Sequence, residues 1–481
     1  MPKPSLSFRD PAGSCCVLDK SVLRFVDRGN IEEFEGFLNT RVARTCVERK
    51  DLVSTRRLNE PEIEALFASS TLKPILEGRP NSIVFEHERV RFQSFPYEWP
   101  TEMLWGAGRL TLDIAISARA DGYGLKDATP YNILFRGSKP IFIDALSFER
   151  RNPGDPIWLP MAQFIRTFLL PLLANRKWGV RLADVFVTHR DGLEPEELHR
   201  LCGSVEQFKP SLLSLVTMPT WLSRKAEENE DKIYKPQILE NSEKAQFILE
   251  SAFNRLSRNL ESLRPAAQDK SNWSEYMKTH SYDDPAFSAK EKFVSDALKR
   301  FAPARVLDAG ANTGHFSRLA ARLGAEVVSI DIDPTCVGQI FAKASEEKMN
   351  ILPLVVDLAR PSPSVGWLND ECPSFLDRAR GAFDGVLMLA LLHHLLVTER
   401  VRLEQAMELA ASLTTSILVI EFVAPEDAMF RRLTRGRDNL HSTLDTKSFE
   451  AACDAHFEII ESLALPGTKR TMYCLKKKSL N

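Results

Sequence analysis

Short apolar runs alternate with amphipathic patterns through the last third of the chain. Five of these runs predict strands, at 305–308, 326–331, 352–357, 383–389 and 416–422. Between the last two runs, Leu403, Ala406, Met407 and Ala410 recur at the spacing of one helical face. Strands separated by helices need crossover connections, so the pattern predicts an α/β domain with a largely parallel sheet between helices.

The pattern changes towards the N-terminus, where strand and helix signals are mixed. Alternation at 83–95 predicts strands, 105–120 predicts a helix and 133–144 predicts a hairpin. The following segment has long helical patterns, of which 246–263 is the clearest, and few strand signals. We therefore expect three segments, namely an α+β region at 1–190, a helical bridge and linker at 191–270, and the α/β domain at 271–481.

The composition is that of an ordinary globular protein. Of 481 residues, 44% are hydrophobic and 27% are charged, which argues against intrinsic disorder. Lys and Arg total 63 against 65 Asp and Glu. This balance predicts that neither nucleic acid nor a membrane surface is a general partner, although it leaves room for a local basic groove. The eight cysteines form no C-x-x-C pair, which predicts free thiols and no metal site.

The sequence also gives an expectation about location. Its N-terminus has no apolar signal region, and its most apolar stretches, 164–174 and 386–397, are shorter than the ~20 residues of a membrane-spanning helix. We expect a cytoplasmic protein without membrane attachment. The oligomeric state is left open by the sequence.

The strongest chemical signal is a glycine-containing turn after the first predicted strand of the α/β domain. Asp308 precedes Gly310 and Gly314, which lie four residues apart and lead into a helical pattern. Glycine allows a sharp turn and a close approach of the backbone to a ligand. Asp331 and Asp357 end the next two predicted strands, where carboxylates can meet ribose hydroxyls and a base. An acid before the turn suits a positively charged amino-acid moiety better than a pyrophosphate.

These residues resemble the motifs of class I S-adenosylmethionine-dependent methyltransferases. The resemblance covers about 273–478, and Asn312 replaces the middle glycine that is common in the family. It implies a Rossmann-like sheet, S-adenosyl-L-methionine as cofactor and methyl transfer as the reaction. The residues that it assigns to the cofactor are Asp308, Gly310, Asn312, Gly314, Asp331, Asp357 and Leu389. The alternative is that the glycines only make a tight turn and the aspartates only cap helices.

Candidates for catalysis lie at the ends of the fourth and fifth strands of this domain. His393 and His394 follow one strand, and Glu421 ends the other. A general base would help if the acceptor were a hydroxyl that must lose a proton. The same histidines could instead serve packing. Tyr282 and Lys290, which precede the first strand, could close over the cofactor.

A second constellation lies in the N-terminal region. Asp127, Asn132 and Asp144 have the spacing D-x-x-x-x-N, then a hairpin, then another Asp, which resembles protein kinases and aminoglycoside phosphotransferases. That resemblance implies that Asp127 orients or deprotonates an acceptor hydroxyl, while the other two hold magnesium on a nucleotide. The glycine-rich loop and the usual histidine are missing, and Asp144 precedes Ala-Leu instead of Phe-Gly. A polar turn network without chemistry remains the other interpretation.

The combination of these segments is similar to that of rhizobial nodulation proteins. The resemblance implies methyl transfer to a small-molecule or glycan acceptor, such as a nodulation signal, in host-specific nodulation. A non-catalytic binding protein with relic folds is the alternative from a different class, and a phosphotransferase that uses Asp127, Asn132 and Asp144 is the third.

Overall fold

The computed structural model describes residues 5–7, 12–18, 21–67, 82–226, 238–266, 285–434 and 443–479. The N-terminal part contains a five-stranded antiparallel sheet in the order β1-β2-β3-β5-β4. Its strands are β1 (Ser5–Ser7), β2 (Gly13–Val17), β3 (Val22–Asp27), β4 (Thr55–Arg57) and β5 (Ser82–His87). Of the strands predicted over 83–95, only β5 forms, because Phe95, Tyr97 and Trp99 further on turn into the core instead.

Two short antiparallel pairs follow this sheet. The strand β6 (Tyr123–Leu125) pairs with β9 (Phe148–Arg150), and β7 (Ile133–Arg136) pairs with β8 (Lys139–Phe142). The second pair confirms the predicted hairpin. It brings the residues that flank the hairpin, Asn132 and Ile143, within one backbone hydrogen bond of 2.9 Å.

The helices of the first two segments include one long, largely buried helix, Thr101–Ala118, against which several of the others pack. They are Ile31–Leu38, Arg41–Glu48, Glu60–Phe67, Thr101–Ala118, Met161–Phe164, Leu170–Trp178, Leu182–Thr188, Pro195–Leu201, Pro210–Leu212, Met218–Ala226 and Ser242–Ser262, with π-helical turns at Ile165–Leu169 and Leu213–Thr217. Thr101–Ala118 and Ser242–Ser262 confirm the helices predicted at 105–120 and 246–263. The second of them buries a single apolar stripe, and its Leu260 carbonyl accepts a hydrogen bond of 3.0 Å from Trp105 Nε1.

The last segment is built on a seven-stranded sheet in the order β12-β11-β10-β13-β14-β16-β15. Its strands are β10 (Arg305–Ala309), β11 (Glu326–Asp331), β12 (Ile351–Val355), β13 (Phe383–Met388), β14 (Thr414–Val423), β15 (Phe457–Ala464) and β16 (Arg470–Lys477). The first five named strands are parallel, and their ends lie within two residues of the predicted ones. This confirms the Rossmann-like fold class. The antiparallel strands β15 and β16 were not predicted.

Helices cover both faces of this sheet, as its parallel part requires. They are Pro285–Phe301, His315–Arg322, Pro334–Glu346, Phe375–Ala379, Leu403–Leu413, Ala428–Thr434 and Thr446–Asp454, with a π-helical turn at His394–Thr398. Most of the predicted linker at 265–272, and with it the predicted boundary after 270, lies outside the described residues, as does Tyr282. Within the described residues, no helix is long and apolar enough to span a membrane.

A buried ion pair joins the N-terminal region to the α/β domain. Arg378 donates to Glu98, whose carboxylate also accepts from the Ser362 hydroxyl, and both charged side chains are almost fully buried. The Arg378 guanidinium lies 4.9 Å from the ring centroid of Phe95. The contact fixes the connection from β12 to β13, whose first residues reach the candidate site described next.

Candidate functional site

A cavity of about 290 Å³ opens at the carboxyl ends of the strands from β10 to β13. Parallel strands bring their carboxyl ends to one edge, which is where ligands bind in open α/β sheets. Among the predicted site residues, those that line the cavity are Asp308, Gly310, Asn312, Asp331, Asp357, Leu389, His393 and His394. The other two predicted residues, Gly314 and Glu421, lie just outside the cavity lining.

The turn between β10 and the next helix has the backbone that its glycines predict. Gly310 and Gly314 adopt φ values of 74° and 75°, and Asn312 adopts 48°, which Asn tolerates better than most residues. A Cβ at Gly314 would come within 2.8 Å of Ile340, so this glycine lets the helix Pro334–Glu346 pack closely. A Cβ at Gly310 would meet Leu391 across the cavity at 3.4 Å.

Asp308 lies under this turn and is 2% exposed. It accepts a hydrogen bond of 2.6 Å from Ser317 Oγ, which in turn accepts one of 2.8 Å from Ser329 Oγ. Burial raises the pKa of the Asp308 carboxyl to about 6. A cationic group in the cavity would favour its ionised form.

Asp331 and Asp357 are held by backbone N–H groups of the loops at this edge of the sheet. Asp331 accepts N–H groups from Asn312 at 2.8 Å and from Asp333 at 2.9 Å, and burial raises its pKa. Asp357 accepts the N–H of Ala359 at 2.9 Å and pairs with the more exposed Arg360 at 2.8 Å. Both carboxylates are therefore fixed at the edge of the cavity with lone pairs left for a ligand.

The histidine pair forms another part of the wall, after a strained residue at the end of β13. Ala390 has a φ of 53°, which costs energy in a residue with a Cβ. The rings of His393 and His394 lie 4.3 Å apart, and His394 is the more exposed. Burial lowers the pKa of His393 to about 3, so its ring is neutral near pH 7. Among the described residues, His393 Nδ1 has no hydrogen-bond partner.

Glu421 is the centre of a buried charge cluster behind the histidines. It accepts from Lys290 Nζ at 2.6 Å and from Arg470 Nη1 at 3.2 Å, and Arg470 also binds Asp427 at 3.0 Å. Burial opposes the charge of Glu421, but Lys290 and Arg470 outweigh it and hold its pKa below the ordinary value. A carboxylate held between two cations is a weak proton acceptor and a strong anchor for them.

Sequence reasoning missed Arg470, which lines the cavity from β16. Its partner Asp427 was missed as well. The available signal was the apolar run 472–475, which all lies buried and identifies a strand that starts with this arginine. Lys290, by contrast, was expected to lie near the cofactor and does line the cavity.

The second constellation also comes together, in a separate cavity of about 770 Å³ in the N-terminal region. Asp127, Asn132 and Asp144 all line it. Asp144 Oδ1 pairs with Arg24 Nη2 at 2.6 Å, and its Oδ2 accepts from Ser147 Oγ at 2.5 Å. Over the described ranges, no three His, Cys, Asp or Glu side chains are arranged to hold a metal ion.

Comparison with known proteins agrees with this geometry. Residues 282–450 match the protein family described as "Methyltransferase domain". The chain carries a methyltransferase domain. The class I fold and the S-adenosylmethionine-dependent activity predicted from the motifs are thereby confirmed, with S-adenosylmethionine as cofactor.

The similarity to one relative extends over nearly the whole chain. Nodulation protein NoeA of Rhizobium meliloti (strain 1021) is 29% identical over 478 residues, which are 98% of this chain and 95% of that protein. Among solved structures, the N-methyltransferase NodS of Bradyrhizobium japonicum WM9, in complex with S-adenosyl-L-homocysteine, covers 44% of this chain and 94% of its own (13% identity, TM-score 0.32). Magnesium protoporphyrin IX methyltransferase of Synechocystis PCC 6803 covers 48% and 97% (18% identity, TM-score 0.30).

Proposed function

We propose that this methyltransferase acts on a small-molecule or glycan acceptor in host-specific nodulation, and that it binds its cofactor in the cavity at the ends of β10 to β13. The observation that carries the cofactor site is the convergence of Asp308, Asp331 and Asp357 from three strands on one cavity. Asp308 is held by a helix serine and the other two by backbone N–H groups of loops, yet all three reach the same space.

Each part of the cavity suits one part of S-adenosylmethionine. Asp331, at the edge of the cavity, accepts hydrogen bonds from the ribose hydroxyls, and Asp357 meets the adenine edge. The turn at Gly310 and Asn312, with Asp308 beneath it, takes the amino-acid moiety, whose ammonium group favours a nearby carboxylate. Leu389 faces the methionine part.

The bound cofactor supplies a methyl group that is already electrophilic, so the protein's contribution is chiefly alignment and exclusion of water. Lys290, Glu421 and Arg470 fix the wall from which the histidines project. His393 stays neutral and supports His394, and we assign contact with the acceptor to His394 because its ring is the more exposed. Glu421 is then a positioning residue, because both of its oxygens are already bound to cations.

The biological setting is supported by the extent of the similarity to NoeA. A likeness limited to the methyltransferase domain would concern only the reaction, whereas this one includes the N-terminal region. Together with the helical bridge, that region makes up about half of the chain, and the buried pair Glu98 and Arg378 joins it to the domain. We therefore propose that it selects or presents the acceptor.

The two alternative functions are less well supported. A phosphotransferase needs Asp144 free to bind magnesium, but Arg24 and Ser147 engage both of its oxygens. A non-catalytic relic would have no need of buried carboxylates and a left-handed Ala390 around the cavity, which cost stability.

Calorimetry with S-adenosylmethionine tests the cofactor site. We expect the wild type to bind, and Asp331→Ala to bind at least tenfold more weakly because about 1.5–3 kcal/mol of charged hydrogen bonding is lost. The matched control is Asp454→Ala, an exposed carboxylate that pairs with Lys478 at the surface. Absence of binding by the wild type would overturn the proposed site.

The acceptor is tested by incubating the enzyme with methyl-labelled cofactor and fractionated bacterial oligosaccharides. We expect label in an oligosaccharide fraction with the wild type and none with Asp331→Ala. Label found solely in protein or nucleic acid would reject the glycan acceptor and leave the cofactor site intact.

A further inference from the structure

The cavity in the N-terminal region shares no lining residue with the cofactor cavity. It lies between the five-stranded sheet, the hairpin β7–β8 and the segment Glu371–Cys372 of the methyltransferase domain. Its volume of about 770 Å³ falls in the range of small-molecule sites.

A connected network of buried polar side chains forms one wall of this cavity. Arg24 is 6% exposed and His87 is 4% exposed, yet both line the cavity. Arg24 reaches His87 Nε2 at 3.5 Å and Asp144 at 2.6 Å, while Asn132 donates to Ser147 at 3.3 Å. Buried polar groups must be hydrogen-bonded or paired to avoid a large cost in stability, and titratable groups perturbed by burial concentrate at ligand sites.

The charges of the lining indicate which ligand it suits. Seven carboxylate and four Lys or Arg side chains line the cavity, and burial keeps His87 neutral by lowering its pKa to about 3. Two of the cations are already paired, Arg24 with Asp144 and Arg190 with Glu371. The excess of acid repels phosphates. Since the described residues provide no metal-binding group, the acidic lining is available for an organic ligand.

The uncharged lining residues point to hydroxyl groups. The side chains of Asn30, Gln93 and Gln163 carry amides, which both donate and accept hydrogen bonds as hydroxyls do. Tyr131 offers a ring whose orientation is fixed, since the Arg190 guanidinium lies 4.5 Å from its centroid. Such a ring packs against the C–H face of a saturated ring.

We propose that this cavity binds a hydroxyl-rich ligand with a protonated amine, as in an amino sugar. The amides and Asn132 bind its hydroxyls. The carboxylates of Glu149 and Asp191, which have no cationic partner within ion-pair distance among the described residues, bind its ammonium group.

Calorimetry on the full chain tests this with a glucosamine trisaccharide, its N-acetylated form and magnesium-ATP as probes. We expect the glucosamine trisaccharide to bind most tightly and its affinity to fall with added salt. Glu149→Gln should weaken it about tenfold by removing one charged hydrogen bond. Asp113→Asn, an exposed carboxylate on the helix Thr101–Ala118, is the control and should leave the affinity unchanged.

Three outcomes would overturn the proposal. The first is that neither trisaccharide binds. The second is that magnesium-ATP binds and Asp144→Ala abolishes this, which would favour a phosphotransferase. The third is that Asp331→Ala, at the other cavity, abolishes trisaccharide binding. Retained trisaccharide binding by Asp331→Ala, together with lost cofactor binding, would show that the two sites stand independently.

Discussion

The two cavities hold their polar side chains in different ways. In the cofactor cavity, Asp331 and Asp357 are fixed by backbone N–H groups 2 to 19 residues away. In the N-terminal cavity, Asp144 is fixed by Ser147, three residues away, and by Arg24, which is 120 residues away. Fixation by backbone N–H groups comes from the shape of adjoining loops, whereas the pairing with Arg24 depends on how whole elements pack. The first cavity should therefore tolerate changes elsewhere in the fold better than the second.

The largest loss of stability is expected at the contact between the N-terminal region and the α/β domain. Glu98→Ala leaves the Arg378 guanidinium buried without its carboxylate, which should lower the free energy of unfolding by about 3–5 kcal/mol. Urea denaturation followed by fluorescence measures this. Asp113→Ala, which breaks an exposed pair with Arg109, should cost less than about 1 kcal/mol. Equal losses in the two variants would show that the buried pair does not join the regions energetically.

A smaller loss of stability is expected beside the cofactor cavity from Glu421→Gln, which leaves Lys290 and Arg470 with a neutral partner. We expect a loss of about 2 kcal/mol at pH 7. The folded-state pKa of Glu421 lies below its ordinary value of 4.5, so its contribution is complete above that pH and is lost as the pH falls through the folded pKa. Urea denaturation at pH 7, 5 and 3.5 should thus show the difference shrinking in acid. A constant difference would mean that Glu421 is not ionised in the folded protein.

The variant Asp144→Asn tests whether the two cavities are independent of each other. It weakens the pairing with Arg24 and should lower the free energy of unfolding by about 1–2 kcal/mol. Because the cavities share no lining residue, the affinity for S-adenosylmethionine measured by calorimetry should stay unchanged. A fall in that affinity would show that the N-terminal network supports the cofactor site.

The same difference explains what the sequence could predict. The parallel strands and the turn at Gly310 follow from local periodicity and spacing, and their predicted positions are confirmed within two residues. The pairing of Arg470 with Glu421 and that of Glu98 with Arg378 could not be predicted, because the partners lie 49 and 280 residues apart. The spacing of Asp127, Asn132 and Asp144 did predict that they converge. It did not predict that Arg24 forms an ion pair with Asp144.

The smallest losses of stability at pH 7 are expected from replacing one buried histidine in each cavity. His87 Nδ1 lies 2.8 Å from Thr55 Oγ1, whereas His393 Nδ1 has no partner among the described residues. At pH 7, His87→Phe should therefore lower the free energy of unfolding by about 1 kcal/mol and His393→Phe by only a few tenths.

The same two variants test how stability depends on pH. Burial lowers the pKa of both histidines from 6.5 to about 3, so between these pH values only the unfolded chain takes up their protons. Stability consequently falls as the pH drops below 6.5, and each variant should reduce that slope by up to about 1.4 kcal/mol per pH unit. Urea denaturation at pH 7, 6 and 5 measures the slopes, and an unchanged slope in either variant would mean that its histidine is protonated within the folded protein.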